Sequence, residues 1–78
     1  MKTLIEYIAK SLVEDPDAVE VTEIRHGNSV NLVLKVGKED MGRIIGKNGR
    51  VANAIRILLR VAATREGKRA TLDVAEPQ

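Results

Sequence analysis

The sequence predicts one α+β domain with the element order α-β-β-α-α-β. Helical segments are indicated by apolar residues that recur every three to four positions, and strands by apolar residues that alternate with polar ones. A third observation is a pair of glycines, Gly46 and Gly49, which separates the last two helical segments. Together these patterns describe residues 1–78 as a single domain with a core of about 1–74 and a short tail, 75–78.

The first half of the chain predicts a helix followed by two strands. Residues 1–13 have helical apolar spacing, and Asp15-Pro16 ends the helix because a residue before proline is disfavoured in the α region. Residues 18–25 predict a strand with Val19 and Val21 on one face and Ile24 on the other. A turn at residues 26–28 leads into the clearest strand, whose alternating core residues are Val30, Leu32, Leu34 and Val36.

The second half predicts two helices and a last strand. Residues 38–40 begin a short helix, and Glu39 and Asp40 complement the dipole of its first turn. A long helix runs from Arg50 to about Glu66 and ends at Gly67. The last strand, 69–74, places three apolar residues inward and Thr71 and Asp73 outward; the inward residues are Ala70, Leu72 and Val74.

The two glycines predict a tight helix-to-helix turn that can hold a phosphate. Gly46 and Gly49 tolerate positive φ angles, so Lys47 and Asn48 between them are expected to point outward. The helix that begins at Arg50 leaves free backbone N–H groups and the positive end of its dipole beside the turn. An ordinary helix cap is the alternative interpretation, because a GxxG pair alone is a weak pattern.

A nucleotide-binding P-loop does not fit the same residues. Only three residues separate Gly42 from Gly46, one fewer than the motif requires, and Asn48 stands where a magnesium-binding Ser or Thr is needed. His26 is the only histidine and is interpreted as an ordinary loop residue. Because no nucleophile-base pair, carboxylate pair or metal set can be assembled, the sequence indicates neither an enzyme nor a cofactor.

Composition favours a small intracellular protein with a polyanionic partner. The chain has no cysteine, and no apolar run is long enough for a signal peptide or a membrane span, so we expect a soluble cytoplasmic protein. The formal net charge is +2, but residues 1–39 carry −2 and residues 40–78 carry +4. The basic half therefore contains the glycine turn, as binding to a nucleic acid would require, although arginines that only solvate a helix face would look the same.

The element order and the segment Ile44-Ile45-Gly46-Lys47-Asn48-Gly49-Arg50 resemble the type II KH domain. This resemblance covers residues 1–74. Because the chain is little more than this one domain, it also resembles the KhpA family of bacterial single-KH RNA-binding proteins. It implies a three-stranded mixed sheet with three helices packed on one face. It also implies a GxxG loop that clamps the backbone of about four nucleotides of single-stranded RNA.

The resemblance assigns roles to particular residues. The implied RNA-binding residues are Arg43, Ile45, Gly46, Lys47, Asn48, Gly49, Arg50 and Val51. Ile45 and Val51 would form the wall of a groove for bases, with Leu72 from the neighbouring sheet, although plain core positions are an equal alternative for these three. The resemblance also implies a role as a post-transcriptional regulator or RNA chaperone, a larger KhpB (Jag-like) partner, and a link to cell-wall growth and cell shape.

The long helix has more apolar surface than one core needs. Its broad apolar face comprises Val51, Ala52, Ala54, Ile55, Leu58, Leu59, Ala62 and Ala63, and its polar strip comprises Asn53, Arg56, Arg60 and Thr64. Ile57 and Val61 extend the apolar face sideways, which predicts a two-fold homodimer through Ala54, Ile57 and Val61. Scattered apolar residues on an ordinary surface are the alternative. A dimerisation or interaction module without RNA is thus the second functional hypothesis.

Overall fold

The computed structural model describes residues 1–75, with the exception of the Lys47 side chain. Its helices are α1 (Lys2–Leu12), α2 (Met41–Ile45) and α3 (Arg50–Arg65), and its strands are β1 (Glu20–His26), β2 (Ser29–Lys35) and β3 (Arg69–Ala75). Short 3₁₀ turns occupy Pro16–Ala18, Lys38–Asp40 and Lys47–Gly49. The predicted order of elements is confirmed.

The three strands form a mixed sheet in the order β1-β2-β3. Strands β1 and β2 are antiparallel and joined by a two-residue turn, with Val21 opposite Leu34. Strand β3 is parallel to β2, with Leu72 opposite Leu32. The parallel pair requires a crossover, and the segment that contains α2 and α3 provides it.

All three helices pack on one face of this sheet. The buried core combines alternate residues of the strands with one stripe from each helix, and its members are Ile5, Ala9, Val21, Val30, Leu32, Leu34, Val36, Ile44, Ile55, Leu59 and Leu72. The predicted core positions of this segment are confirmed, because Val30, Leu32 and Leu34 of β2, and Val36 directly after it, are at most 2% exposed.

The opposite face of the sheet is open and mostly polar. The Asn31 side-chain amide donates to Thr71 Oγ1 at 2.7 Å and to Asp73 Oδ2 at 3.1 Å, which connects β2 to β3. Thr71 and Asp73 therefore point outward, as predicted. Ile24 also lies on this outer face and is 54% exposed.

The structure moves several predicted boundaries by one to three residues. Strand β1 begins at Glu20 and includes His26, and α2 begins only at Met41 because residues 38–40 form a 3₁₀ turn. Ala75 belongs to β3 rather than to the predicted tail, and the rest of that tail, 76–78, lies outside the described residues.

Asp40 has a role beyond the predicted dipole interaction. Its carboxylate is buried, with 3% of the residue exposed, and accepts hydrogen bonds from the backbone N–H groups of Glu14 at 3.1 Å and Asp15 at 3.2 Å. These bonds connect the end of the α1 segment to the start of α2. Asp40 is therefore a tertiary contact, which periodicity along one helix cannot reveal.

Candidate nucleic-acid interface

The turn between α2 and α3 consists almost entirely of left-handed backbone. Gly46, Asn48 and Gly49 have φ angles of 66°, 57° and 75°. Asparagine is among the few side chains that tolerate this region, and glycine adopts it freely. The positive φ values predicted for both glycines are confirmed, and Asn48 is exposed as expected.

Gly46 meets two separate requirements at this turn. Its φ and ψ of 66° and −177° lie in a region that is essentially restricted to glycine. A Cβ atom at this position would also lie 2.7 Å from Val51 Cγ2. The chain can therefore fold back on the start of α3 only with glycine at position 46.

The N-terminus of α3 lies at the end of the turn. Gly49 is the N-cap residue; no side chain caps this end, and the first turn contains no acidic residue. The free N–H groups of the first turn and the positive end of a 16-residue helix are thus available to an anion. Arg50, the first residue of α3, is exposed beside them.

The three apolar residues assigned to the groove wall have different environments. Ile45 is 41% exposed at the end of α2, so it is a surface residue. Val51 is half-buried and packs against the core. Leu72 is 3% exposed and belongs to the core itself.

Arg43 is paired with acidic residues of the fold. One guanidinium nitrogen, Nη2, lies 2.7 Å from Glu14 Oε1, and Nε lies 3.9 Å from Asp40 Oδ1. Its side chain is 55% exposed, so it remains at the surface next to the turn. The ion pairs direct it towards the segment after α1.

A depression lies between α3 and the free edge of β3. Its volume is about 260 Å³, and its lining residues are Arg56, Arg60, Ala70, Thr71, Leu72 and Asp73. Arg56 connects the two walls, because its Nε donates to the Leu72 carbonyl oxygen at 3.1 Å and its Nη1 donates to Asn53 Oδ1 at 3.0 Å. We call this depression the α3–β3 groove.

Of the residues that line this groove, only Leu72 was predicted to belong to a site; the groove itself was not predicted. The sequence feature that corresponds to the groove was the polar strip that contains Arg56 and Arg60. Such a strip is also typical of an ordinary helix face in solvent. The sequence could not indicate that this strip faces the outward residues of β3, because the pairing of α3 with the sheet edge is a tertiary feature.

A second exposed surface of α3 is apolar. Ile57, Leu58 and Val61 are 58%, 53% and 51% exposed, and Ala54 is exposed between them. We call these four residues the α3 patch. Leu58 was predicted on the broad apolar face of the helix and not in the dimer interface, and the structure places it at the surface. The three residues predicted for a dimer interface thus have a fourth apolar neighbour.

The fold and the turn define the class of this protein. Helices and strands in the order α-β-β-α-α-β, a mixed sheet covered on one face, and a GxxG turn between α2 and α3 are the arrangement of a type II KH domain. The KhpA/KhpB KH-domain family matches residues 2–74. The chain belongs to this family.

Relatives over nearly the full length support the assignment. A protein of Clostridium acetobutylicum is 51% identical over 74 residues, which cover 95% of this chain and 99% of that protein. A protein of Caldanaerobacter subterraneus is also 51% identical over 74 residues, and one of Aquifex aeolicus is 40% identical over 76 residues. Each of these relatives is named RNA-binding protein KhpA. The family is not enzymatic, and no helix within residues 1–75 is long and apolar enough to cross a membrane.

Proposed function

We propose that this protein binds single-stranded RNA and holds its sugar-phosphate backbone at the GxxG turn. The observation that carries the proposal is the set of positive φ angles at Gly46, Asn48 and Gly49, followed directly by a helix N-terminus that no side chain caps. Such a turn presents backbone N–H donors to a phosphate at the positive end of a helix dipole. In KH domains this loop clamps four backbone nucleotides.

The side chains around the turn add charge and an apolar wall. Lys47 and Arg50 supply positive charge to the phosphates, and Asn48 supplies an amide. Ile45, at the exposed end of α2, and the half-buried Val51 support the adjacent nucleotides. Arg43 contributes long-range attraction rather than a direct contact, because its guanidinium is already paired with Glu14.

The α3 patch provides an interface with a second protein. Exposure of three large apolar side chains, each more than half accessible, is unfavourable in water. Two protomers related by a two-fold axis at the α3 patch would bury the patch of each protomer against that of the other. We infer a homodimer through Ala54, Ile57, Leu58 and Val61, with the same surface available to a KhpB (Jag-like) partner. Cytoplasmic action as an RNA chaperone or post-transcriptional regulator, with effects on the cell wall and cell shape, is proposed from family resemblance alone.

A protein-interaction module without RNA is the second candidate function. The size of the α3 patch favours it, because this surface suits a protein partner whether or not RNA is bound. The two candidates differ at the turn. Only the RNA-binding function requires the N–H groups in the first turn of α3, which begins at Arg50, to be accessible.

Salt dependence of RNA binding tests the proposed clamp. A fluorescently labelled RNA of eight nucleotides is titrated with protein at several salt concentrations, and a duplex of the same sequence is the control. Binding to the single strand should weaken linearly on logarithmic axes, with a slope of roughly −2 to −3 for about four phosphate contacts, since counterions are released. Binding that does not change with salt, or equal affinity for the duplex, would contradict a clamp on single-stranded backbone.

A further inference from the structure

Asn48 and Gly49 form a pair with a covalent chemistry of its own. Asparagine is chemically labile, because the backbone nitrogen of the next residue can attack its side-chain amide carbon. A following glycine permits this attack most readily, since it has no Cβ atom to obstruct it. The chain contains four asparagines, and only Asn48 is followed by glycine. The most labile asparagine of the sequence therefore lies in the GxxG turn.

The other three asparagines are in less reactive surroundings. Asn31 lies in β2, and its side-chain amide donates to two residues of β3. Asn53 lies within α3, and its Oδ1 accepts from an arginine of the same helix. Asn28 is exposed in the turn between β1 and β2, but Ser29 follows it. Asn28 is thus the matched internal comparison for Asn48.

Both reacting groups of the pair are weakly restrained. Asn48 is exposed, and no hydrogen bond joins its side-chain amide to another group that the structure describes. The attacking nitrogen belongs to Gly49, whose N–H donates to the Gly46 carbonyl oxygen at 3.4 Å. This distance is longer than that of an ordinary N–H···O bond, so little free energy opposes its loss.

The attack requires rotation of the peptide plane between Asn48 and Gly49. A five-membered ring forms, so Cβ of Asn48 and the Gly49 nitrogen must lie on the same side of the Cα–C bond, which the observed ψ of 28° does not provide. The rotation changes φ of Gly49, and glycine accepts the new value without steric cost. The reaction therefore proceeds from a locally opened turn, and a ligand that holds the turn in place should slow it.

The positive charge around the turn favours the reactive form of the nitrogen. Gly49 must lose its amide proton before it attacks, and it is the N-cap residue of the 16-residue α3, at the positive end of the helix dipole. The exposed Arg50 adds a positive charge beside it, and the first turn of α3 contains no acidic residue. Both features stabilise an anionic nitrogen relative to the neutral amide.

We propose that Asn48 is a deamidation site and that the reaction ends RNA binding by protein molecules that do not hold RNA. The Gly49 nitrogen forms a bond to Cγ of Asn48, the Cγ–Nδ2 bond breaks, and ammonia leaves with the proton that Gly49 gave up through solvent. Water then opens the cyclic imide at one of its two carbonyls and leaves aspartate or isoaspartate. Either product places a carboxylate where the phosphate would lie, so the effect on RNA rests on the proposed function.

Mass spectrometry of the full-length protein measures the reaction independently of RNA. The parent protein is incubated at mildly alkaline pH in water enriched in heavy oxygen, and its peptides are analysed over time. We expect position 48 to exchange its amide for an acid that carries heavy oxygen from the hydrolysis. Asn28 should remain unmodified at the time when half of the Asn48 has reacted.

Two variants block the reaction in different ways, and a third is the control. Asn48→Gln lengthens the side chain, so a five-membered ring cannot close. Gly49→Ala keeps the asparagine but obstructs the attack with a Cβ atom. Both variants should stay unmodified at position 48 while half of the parent protein reacts. Gly42→Ala makes the same substitution within α2, away from the pair, and should react like the parent.

The effect on RNA binding is measured on the reacted protein, which ion exchange separates by its added negative charge. Its dissociation constant for an eight-nucleotide single-stranded RNA should be about tenfold higher or more, because a carboxylate repels a phosphate at close range. The same RNA, present at saturation during the incubation, should slow the reaction of the parent protein. A duplex of the same sequence should not slow it.

The outcomes separate this inference from the proposed function. An unmodified Asn48, or equally fast reaction at Asn28, would overturn the deamidation site even if the protein binds RNA. Equal rates with and without bound RNA, or unchanged affinity of the reacted protein, would overturn its effect on RNA binding while binding itself stands. A parent protein that binds no RNA would overturn the proposed function and this effect, and the mass measurement would still decide the deamidation site.

Discussion

Gly46 is the residue whose identity the turn depends on most. Its backbone conformation is essentially restricted to glycine, and a Cβ atom would collide with Val51. Gly49 has a positive φ of 75°, but the nearest atom to its Cβ position is 3.8 Å away. Gly42 has open space at its Cβ position and lies within α2. The same substitution at these three sites therefore separates strain, collision and helix propensity.

We predict that Gly46→Ala lowers the free energy of unfolding by roughly 2–3 kcal/mol, since strain and collision act together. Gly49→Ala should cost about 1 kcal/mol, because a left-handed alanine has no further conflict there. Gly42→Ala is the control and should stabilise the protein by up to about 1 kcal/mol, because alanine is the better helix former. Urea denaturation measures all three, and a Gly46→Ala protein as stable as the parent would contradict the described turn.

At the scale of elements, Asp40 connects the segment after α1 to the start of α2. It accepts two backbone hydrogen bonds while almost fully buried. Removing its carboxylate leaves the N–H groups of Glu14 and Asp15 without their acceptor. Because α2 leads directly into the GxxG turn, this contact also supports the position of the turn.

Asp40→Ala should therefore reduce the free energy of unfolding by roughly 1–3 kcal/mol, the cost of leaving partly buried donors unpaired. Glu39→Ala is the control, because Glu39 is an exposed acid one position earlier. It should change stability by less than about 0.5 kcal/mol. Thermal denaturation of both variants measures the difference in stability. Equal losses of stability would show that Asp40 contributes only through the helix dipole, as Glu39 does.

Much of the element structure could be predicted from the sequence, and the exceptions have physical causes. The period-2 pattern of β2 predicted its core face, because burial alternates along a strand that packs on one side. The positive φ angles of Gly46 and Gly49 could be predicted because glycine adopts such angles without steric cost. By contrast, the bonds of Asp40, the α3–β3 groove and the ion pair of Arg43 join residues far apart in the chain. Local periodicity contains no information about such contacts.

For the molecule as a whole, the exposed α3 patch is the feature that bears on assembly. A domain of 78 residues gains only ~3–5 kcal/mol from a single core, so burial against a partner would add substantially to its stability. The width of the apolar surface on the long helix predicted three of the four patch residues. The spacing of apolar residues could not show that Leu58 lies outside the core, because packing determines which side of α3 faces the sheet.

We predict that the parent protein is a dimer at micromolar concentration and that Ile57→Asp with Val61→Asp makes it monomeric, since two carboxylates would be buried at the interface. Ile24→Asp is the matched control, because Ile24 is 54% exposed on the outer face of the sheet, compared with 58% for Ile57. It should leave the mass in solution unchanged. Analytical ultracentrifugation distinguishes these results, and a monomeric parent protein would contradict the proposed interface.

The central claim is that the GxxG turn holds the RNA backbone, and one pair of substitutions tests it most directly. Lys47→Asp with Asn48→Asp introduces two negative charges where the phosphate would bind, while both glycines remain. Aspartate tolerates the left-handed conformation of position 48, so stability should change by about 1 kcal/mol or less. Lys2→Asp with Thr3→Asp, in the exposed first turn of α1, is the control with the same change of net charge.

The measurement is the dissociation constant for an eight-nucleotide single-stranded RNA, determined for the parent and both double variants at one salt concentration. The account predicts a loss of roughly a hundredfold or more for the Lys47 and Asn48 variant, because like charges in contact cost several kcal/mol. The control should bind only slightly less tightly than the parent. Equal affinity of the two double variants would contradict a phosphate clamp at this turn and would favour a purely protein-binding domain.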